Sequence, residues 1–230
     1  MPQINIVIPS YNEYENLEIL VPQIISVLDK SEISYKILLI DRKLSTDCTP
    51  KLEKQYPLRV KVINRKPADT YGDAVRTGIE HCDGDYIVFM DADGSHDPEF
   101  ILKLIEQKHN ADFVIASRYV AGGGSFNGPV LKFMSRMVNL SYRVILNIPA
   151  KDVSNSFKLY KASIIKPLNL KCSNFDIIEE VFFKAVKLNK NLKVIELPYF
   201  FKERLYGKTK RDLVSFSFSF LATLLRLRFS

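Results

Sequence analysis

Two aspartates spaced i, i+2 end a run of strand-forming residues in Asp85-Tyr86-Ile87-Val88-Phe89-Met90-Asp91-Ala92-Asp93-Gly94-Ser95-His96-Asp97-Pro98-Glu99. Carboxylates presented at the carboxyl end of a buried strand suit a hard divalent cation, which takes oxygen ligands and keeps positions open for water and substrate phosphates. The chemistry expected is a metal gripping a diphosphate. An EF-hand loop is excluded, because it needs Gly at its sixth position and Glu at its twelfth. Counted from Asp91, this chain has His96 and Leu102 there. A polar turn without a ligand is the other reading of the spacing taken alone. Further along, Phe200-Phe201-Lys202-Glu203-Arg204-Leu205-Tyr206-Gly207-Lys208-Thr209-Lys210-Arg211 gathers cations around one glycine. Such a stretch is a solvated loop, or a site whose Arg and Lys donate charge-assisted hydrogen bonds to phosphate oxygens. His81, His96 and His109 read as structural or exposed, with His96 singled out only by its place beside the carboxylates.

The elements that must position these residues alternate along the chain. Ile4 to Ile8 reads as a buried strand stopped by Pro9. Asn12 and Glu15 have the spacing of a capping box, and Leu17, Leu20, Val21, Ile24, Ile25 and Leu28 follow at helical spacing. Tyr35 to Ile40 is a second strand, ending at Asp41. Thr49-Pro50 opens a helix with Thr49 as its cap. Val60 to Ile63 is a third strand and Asp73 to His81 a short helix. The strand ending at Asp91 is followed by a helix from Pro98 to about Gln107, capped by Asp97. After Asp112 to Arg118 the pattern changes. Gly122-Gly123-Gly124 reads as a mobile loop able to act as a lid, or as a plain linker. Leu131 to Leu146 is a helix carrying Lys132, Arg136 and Arg143. Ser156 to Tyr160 is a strand, Glu179 to Leu188 a helix, and Leu192 to Leu197 a further strand. Strands alternating with helices make an α/β protein with a mostly parallel sheet covered on both faces. Ligands of such sheets sit beyond the carboxyl ends of the strands. Pro9 to Glu13, Asp41 and the Asp91/Asp93 pair all fall there, which points to a nucleotide-like ligand.

A chain of 230 residues, 47% of them hydrophobic, can build one large domain or a domain with an appendage. Its net charge of +7 favours anionic partners such as phosphates or acidic lipid. Nucleic acid is not expected, since charge alone would support it and no DNA- or RNA-binding motif is present. Nor is there the early Gly-rich phosphate loop of nucleotidyltransferases. Cys48, Cys82 and Cys172 form neither a metal pattern nor an even disulfide set, so reduced thiols in a cytosolic protein are expected. No signal-peptide pattern opens the chain, and no run reaches the ~18 apolar residues of a membrane-spanning helix.

Five marks in fixed order carry a resemblance: Val7-Ile8-Pro9-Ser10-Tyr11-Asn12-Glu13, then Asp91-Ala92-Asp93-Gly94-Ser95-His96-Asp97-Pro98, then Ser117-Arg118-Tyr119 with the following glycines, then Ser156-Phe157-Lys158-Leu159-Tyr160, then Arg204-Leu205-Tyr206-Gly207-Lys208-Thr209-Lys210. Over nearly its whole length the chain resembles family-2 glycosyltransferases of the GT-A fold, and within them the dolichol-phosphate (polyprenol-phosphate) mannose synthases. The resemblance implies a Rossmann-like GT-A catalytic domain over residues 1–212, its nucleotide-sugar half reaching to about residue 115 and its acceptor half beginning at about 116. Pro9, Tyr11 and Glu13 would line the nucleotide pocket, with Ile40, Asp41 and Arg42 at the next strand end. Asp91 and Asp93 would hold Mg²⁺ or Mn²⁺ on the diphosphate, with the Ala92 backbone close by, and Ser95 stands where some relatives place a Gln ligand. Arg118, Arg204 and Lys210 would bind phosphates of donor and acceptor, so Asp93, Arg118, Arg204 and Lys210 are the expected catalytic residues. The implied reaction moves a hexose, mannose from GDP-mannose foremost, onto dolichyl or polyprenyl phosphate with inversion. The implied location is peripheral, on the cytosolic face of a membrane, with a membrane-anchoring partner subunit as one means of attachment. A lipid monophosphate is already an anion and needs no strong general base, which agrees with a site rich in Arg and Lys and without a catalytic His.

The departures from the family pattern are local. Where the family commonly has paired aspartates followed by Ser-x-Asp-Gly-Thr, this chain reads Asp41-Arg42-Lys43-Leu44-Ser45-Thr46-Asp47-Cys48-Thr49. A donor-only guanidinium at Arg42 cannot accept the hydrogen bonds a carboxylate would take from ribose or base. This leaves open a transferase with another donor, such as UDP-glucose, or another acceptor, and a degenerate nucleotide-sugar-binding subunit. Residues 213–230 form an amphipathic segment in which Val214 to Phe220 alternates like a strand and Leu221 to Leu225 has helical spacing. It reads either as an element lying on a membrane or as one packing on the enzyme body or a partner.

Overall fold

Residue alternation in the first strand sets up both faces of the sheet. In β1 (Ile4–Pro9), Ile4, Ile6 and Ile8 point to one layer and Val7 to the other, the period of two that a strand imposes. The computed structural model describes residues 2–43, 47–202 and 222–229. Along the chain follow α1 (Tyr14–Leu28), β2 (Tyr35–Asp41), α2 (Pro50–Gln55), β3 (Val60–Asn64), α3 (Tyr71–Glu80), β4 (Tyr86–Phe89), α4 (Phe100–Glu106) and β5 (Phe113–Ser117). The second half supplies β6 (Gly124–Ser125), α5 (Pro129–Ile145), β7 (Lys158–Lys161), α6 (Ala162–Ile165), α7 (Ile177–Leu188), β8 (Val194–Pro198) and β9 (Phe200–Phe201). Residues 222–228 are helical.

The main sheet has seven strands in the order β3-β2-β1-β4-β7-β5-β8. It is parallel except at β7, which runs antiparallel to both β4 and β5. One layer packs α1 and α4 through Leu17, Leu20, Val21, Ile24, Ile101 and Leu104, all buried. The other packs α3, α7, the inner side of α5 and the C-terminal helix, whose Leu224 and Leu227 are buried. Each fully buried aliphatic side chain contributes about 1.5–3 kcal/mol relative to exposure. This is the α/β sheet covered on both faces that the alternation of elements predicts.

Several local expectations are corrected by long-range contacts. The Asn12/Glu15 capping box does not form. Asn12 takes a left-handed φ of 55°, α1 begins at Tyr14, and the Tyr14 N–H donates to Asp47 from the loop after β2 (3.2 Å). Thr49 stands in helical conformation without a side-chain cap bond. Asp97 accepts from the Glu99 N–H (3.1 Å), and the turn after it closes by i to i+3 bonds, so α4 starts only at Phe100. The capping box that does form is at α3, where Thr70 accepts from the Asp73 N–H (3.1 Å) and Asp73 from the Thr70 N–H (3.1 Å). The triple glycine does not hang free: Gly123 donates to Val120 and Gly124 to Tyr199, and β6 pairs with β9.

Arg65 locks the carboxyl ends of β1 and β2. It is buried, and its guanidinium donates to the carbonyls of Ser10, Ile40 (3.2 Å), Asp41 (3.3 Å), Asp69 (3.4 Å) and Thr70 (3.2 Å). Ile40, Asp41 and Thr70 also accept from backbone N–H groups and Asp69 is exposed, so Arg65→Met strands above all the buried Ser10 carbonyl, at a cost of about 1–3 kcal/mol. Urea unfolding of Arg65→Met is expected to give a lower midpoint with an unchanged slope, a loss of about 1–3 kcal/mol. A midpoint equal to that of the parent protein contradicts the locking role.

Candidate active site

Because β2, β1 and β4 are adjacent and parallel, their carboxyl ends open onto one edge of the sheet. That edge collects Asp41 and Arg42 from β2, Pro9 to Glu13 from β1, and Asp91 to Ser95 from β4. Tyr11 is exposed, and Ile40 and Asp41 are buried. Glu13 accepts from Asn16 Nδ2 (2.6 Å), which fixes its carboxylate at the start of α1.

The carboxylate loop is held from several directions. Asp91 Oδ1 accepts from Ser156 Oγ (2.9 Å), and its backbone N–H donates to His96 Nδ1 (2.9 Å). A His96 that accepts at Nδ1 carries its proton on Nε2, which lies 3.8 Å from Asp91 Oδ2. Burial drives the His96 pKa down despite Asp91 and Asp93, so the ring stays neutral. It is stacked on Phe157 at 4.5 Å and holds the Asp91 backbone in place. Asp93 is buried and accepts both the N–H (3.0 Å) and the O–H (2.6 Å) of Ser95. The loop turns at Gly94, whose φ of 78° suits glycine. Ser95 Oγ therefore points its proton at Asp93, and Ala92 is buried beside the pair.

Among the described residues no third His, Cys, Asp or Glu joins Asp91 and Asp93 in a metal-holding group. Two carboxylates alone fit Mg²⁺ or Mn²⁺, cations that complete their shells with water and phosphate oxygens. The part-exposed Asp91, with 28% of its side chain accessible, gives the pair an open side.

Arg118 is more committed than its motif implies. Nε and Nη2 donate to the two oxygens of Asp152 (2.8 and 2.7 Å), Nη2 also reaches Ser154 (3.1 Å), and the backbone N–H adds a third bond to Asp152 (2.8 Å). Burial pushes the Asp152 carboxyl up, but the Arg118 charge and hydrogen bonds outweigh it and hold the pKa below 3.8. Among the described residues Nη1 has no hydrogen-bond acceptor. The loop from Asp152 to Ser156 is pinned from below by Lys158, whose buried ammonium donates to the carbonyls of Val153 (2.8 Å) and Asn155. Burial draws the Lys158 pKa down to about 8 against the pull of Asp152 and Glu179.

On the far side, Tyr199 OH donates to the Ser95 carbonyl (2.9 Å) and accepts from the Asp97 N–H (2.8 Å). Lys202 pairs with Asp97 (2.8 Å), and its backbone N–H reaches Ser95 (3.3 Å). The chain thus enters the basic stretch while tied to the carboxylate loop. Arg204 and Lys210 lie outside the described residues. Sequence reasoning missed Asp152, Tyr199 and Glu196 as supports of the site, and quoted Ser156 only as part of a motif. No local signal marks them, because each acts on a residue distant in the chain.

The seven-stranded sheet order with carboxylates at the strand ends is that of a GT-A glycosyltransferase, and comparison with known proteins agrees. The chain belongs to glycosyl transferase family 2, whose family model matches residues 5–168. It is 35% identical over 216 residues to the dolichol-phosphate mannosyltransferase of Pyrococcus furiosus, covering 90% of this chain and 59% of that one. It is 30% identical over 215 residues to the undecaprenyl-phosphate mannosyltransferase of Micrococcus luteus, covering 89% and 85% respectively. The chain therefore spans less than two thirds of the Pyrococcus relative and most of the Micrococcus one. In fold it matches the glucosyl-3-phosphoglycerate synthase of Mycobacterium tuberculosis, crystallised with Mn²⁺, UDP and phosphoglyceric acid, at a TM-score of 0.73 and 17% identity, over 99% of this chain and 78% of that one.

The Arg118–Asp152 pair carries a pH prediction. A carboxyl held below its unfolded value contributes stability that is present above about 3.8 and lost as pH falls through the folded value. Thermal melts of the parent protein should lose stability as pH falls below about 4. Asp152→Asn should already be less stable at pH 7, by about 3–5 kcal/mol, because it leaves a buried guanidinium without its counter-charge. It should also show a shallower acid slope; an unchanged slope and Tm refute the assignment.

Proposed function

We propose that this protein transfers mannose from GDP-mannose to the phosphate of a polyprenyl phosphate of the dolichyl or bacterial type, inverting the anomeric centre. The observation that carries this reading is the Asp91/Asp93 pair set between the nucleotide-side residues Tyr11, Glu13 and Asp41 and the Arg118–Lys202 side. The names of its relatives support the mannosyl and polyprenyl-phosphate parts. Asp91 and Asp93 would hold Mg²⁺ or Mn²⁺, which supplies positive charge to the diphosphate leaving group. A phosphate oxygen of the acceptor forms a bond to the mannosyl C1, and the bond from C1 to the diphosphate breaks, its electron pair leaving with GDP. The acceptor oxygen carries its charge before reaction, so no proton has to be removed. What the protein contributes is alignment and charge: Arg118 through Nη1, and Arg204 and Lys210 from the basic stretch.

A lipid acceptor also calls for contact with a membrane surface, and α5 has the face for it. Val130, Phe133, Met137, Leu140 and Val144 recur at helical spacing on its outer side, all exposed, with exposed Lys132, Arg136 and Arg143 alongside. Its opposite side is buried through Val138, Asn139 and Tyr142. Of the two readings of residues 213–230, lying on a membrane or packing on the body, the described part, 222–229, follows the second: Leu224 and Leu227 are buried and Arg226 pairs with Asp176 (2.9 Å). No helix among the described residues is long and apolar enough to cross a membrane.

Incubation with radiolabelled GDP-mannose, Mg²⁺ and dolichyl phosphate should yield a lipid-extractable mannosyl product. Asp93→Ala should lower its rate by roughly a hundredfold or more, the scale of losing a main electrostatic contributor. Product with UDP-glucose but not GDP-mannose would change the donor; none with any donor, or undiminished transfer by Asp93→Ala, would refute the reading. A Phe133→Asp/Val144→Asp variant should sediment with anionic vesicles at least about tenfold less than the parent protein, two large apolar side chains having been removed from the contact.

A further inference from the structure

Arg42, at the carboxyl end of β2, has no part in the reaction above. Its backbone is fixed on both sides: its N–H donates to Asp41 Oδ1 (2.8 Å) and its carbonyl accepts from Asn64 Nδ2 (2.8 Å). Its guanidinium carbon lies 4.8 Å from the centroid of the Tyr11 ring. Nε is buried without a partner, and among the described residues no acceptor takes a hydrogen bond from the guanidinium. A planar fork laid over an aromatic ring with its donors unspent is arranged to meet a planar pair of acceptors.

Its position decides which acceptors those are. Arg42 follows β2 and Asp91 follows β4, with β1 between them. Two strand spacings separate their ends by roughly 10 Å. With the diphosphate at the β4 carboxylates, the part of the nucleotide that reaches β2 past Tyr11 is the base. We propose that Arg42 reads that base and selects guanine, donating two parallel hydrogen bonds to its O6 and N7. The inference rests on the proposed function and adds the base discriminator to it. Guanine is the base that presents two adjacent acceptors on this edge; adenine sets a donor beside N7, and a uracil presents one carbonyl. A carboxylate at this position could accept only from base N–H groups, so Arg42 reverses the polarity of readout rather than abolishing it.

Calorimetric titration of the whole chain with GDP, 7-deaza-GDP and UDP in Mg²⁺ tests this, because 7-deaza-GDP replaces N7 by a C–H and changes little else. The parent protein should bind GDP about tenfold or more tightly than 7-deaza-GDP or UDP, the discrimination of one bidentate contact. Arg42→Met keeps an apolar stem over Tyr11 without donors and should bind GDP and 7-deaza-GDP alike. Equal binding of GDP and 7-deaza-GDP by the parent protein overturns the inference, as does an Arg42→Met variant that weakens GDP and UDP by one common factor, the mark of a phosphate contact. Either result leaves the proposed transfer standing. Failure of the parent protein to bind any nucleoside diphosphate overturns the proposed function, and the base reading with it. Should Arg42→Met not fold, the comparison of GDP with 7-deaza-GDP on the parent protein still decides.

Discussion

The antiparallel pairing of β7 with β4 is the constraint on which the rest depends. Phe89 faces Lys158 and Tyr86 faces Lys161, so the entry to β7 lies at the exit of β4. A parallel strand in the same place would bring its far end there and leave the carboxylates without support. As built, the Asp152 to Ser156 loop arrives beside Asp91, and four anchors hold it. Lys158 binds its carbonyls, Asn139 Oδ1 accepts from the N–H groups of Val153 and Ser154 (2.7 and 2.9 Å), Glu196 accepts from the Asp152 N–H (2.9 Å), and Arg118 grips the Asp152 carboxylate. Through that loop the second half of the chain reaches the first.

Such a buried polar network contributes little net stability, because desolvation offsets most of the attraction. Its consequence is order. Every bond fixes a dipole or a charge before any ligand arrives, and preorganised charge is what a site needs to stabilise charge developing on a leaving group. His96 fits the same scheme as a neutral ring wedged against Phe157, holding the Asp91 backbone in place. Asn139 also sits on the inner side of α5, the helix whose outer side is apolar and bare. One helix therefore presents a bare apolar surface and holds a loop of the site.

Much of the fold was legible along the chain. The helix stripe at Leu17, Leu20, Val21, Ile24 and Leu28 and the strands around Ile6, Leu38 and Val88 are patterns of a few residues, and they appear where periodicity places them. The site was legible where it depends on strand ends: Tyr11, Asp41, Asp91 and Asp93 do meet on one edge. Capping was misread at Asn12, where a distant partner competes, and at Thr49, whose backbone is itself helical. Asn12 and Thr49 look like caps in their own segments, yet Asp47 from another loop takes the first N–H of α1. The resemblance gives Arg118 a phosphate role, and nothing nearby in sequence marks the carboxylate, 34 residues away, that also takes hydrogen bonds from two of its nitrogens.

The sequence by itself determined the alternation of strands and helices, the carboxylate pair after a buried strand, and the basic character of the far end, because propensity, periodicity and spacing act over a handful of neighbours. Only the tertiary structure decided that β7 enters the sheet against its direction, that Asp152 grips Arg118, that Arg42 lies over Tyr11, and that α5 carries a bare apolar face. Those outcomes depend on which surfaces meet, and burial and charge pairing act between residues that the chain keeps far apart.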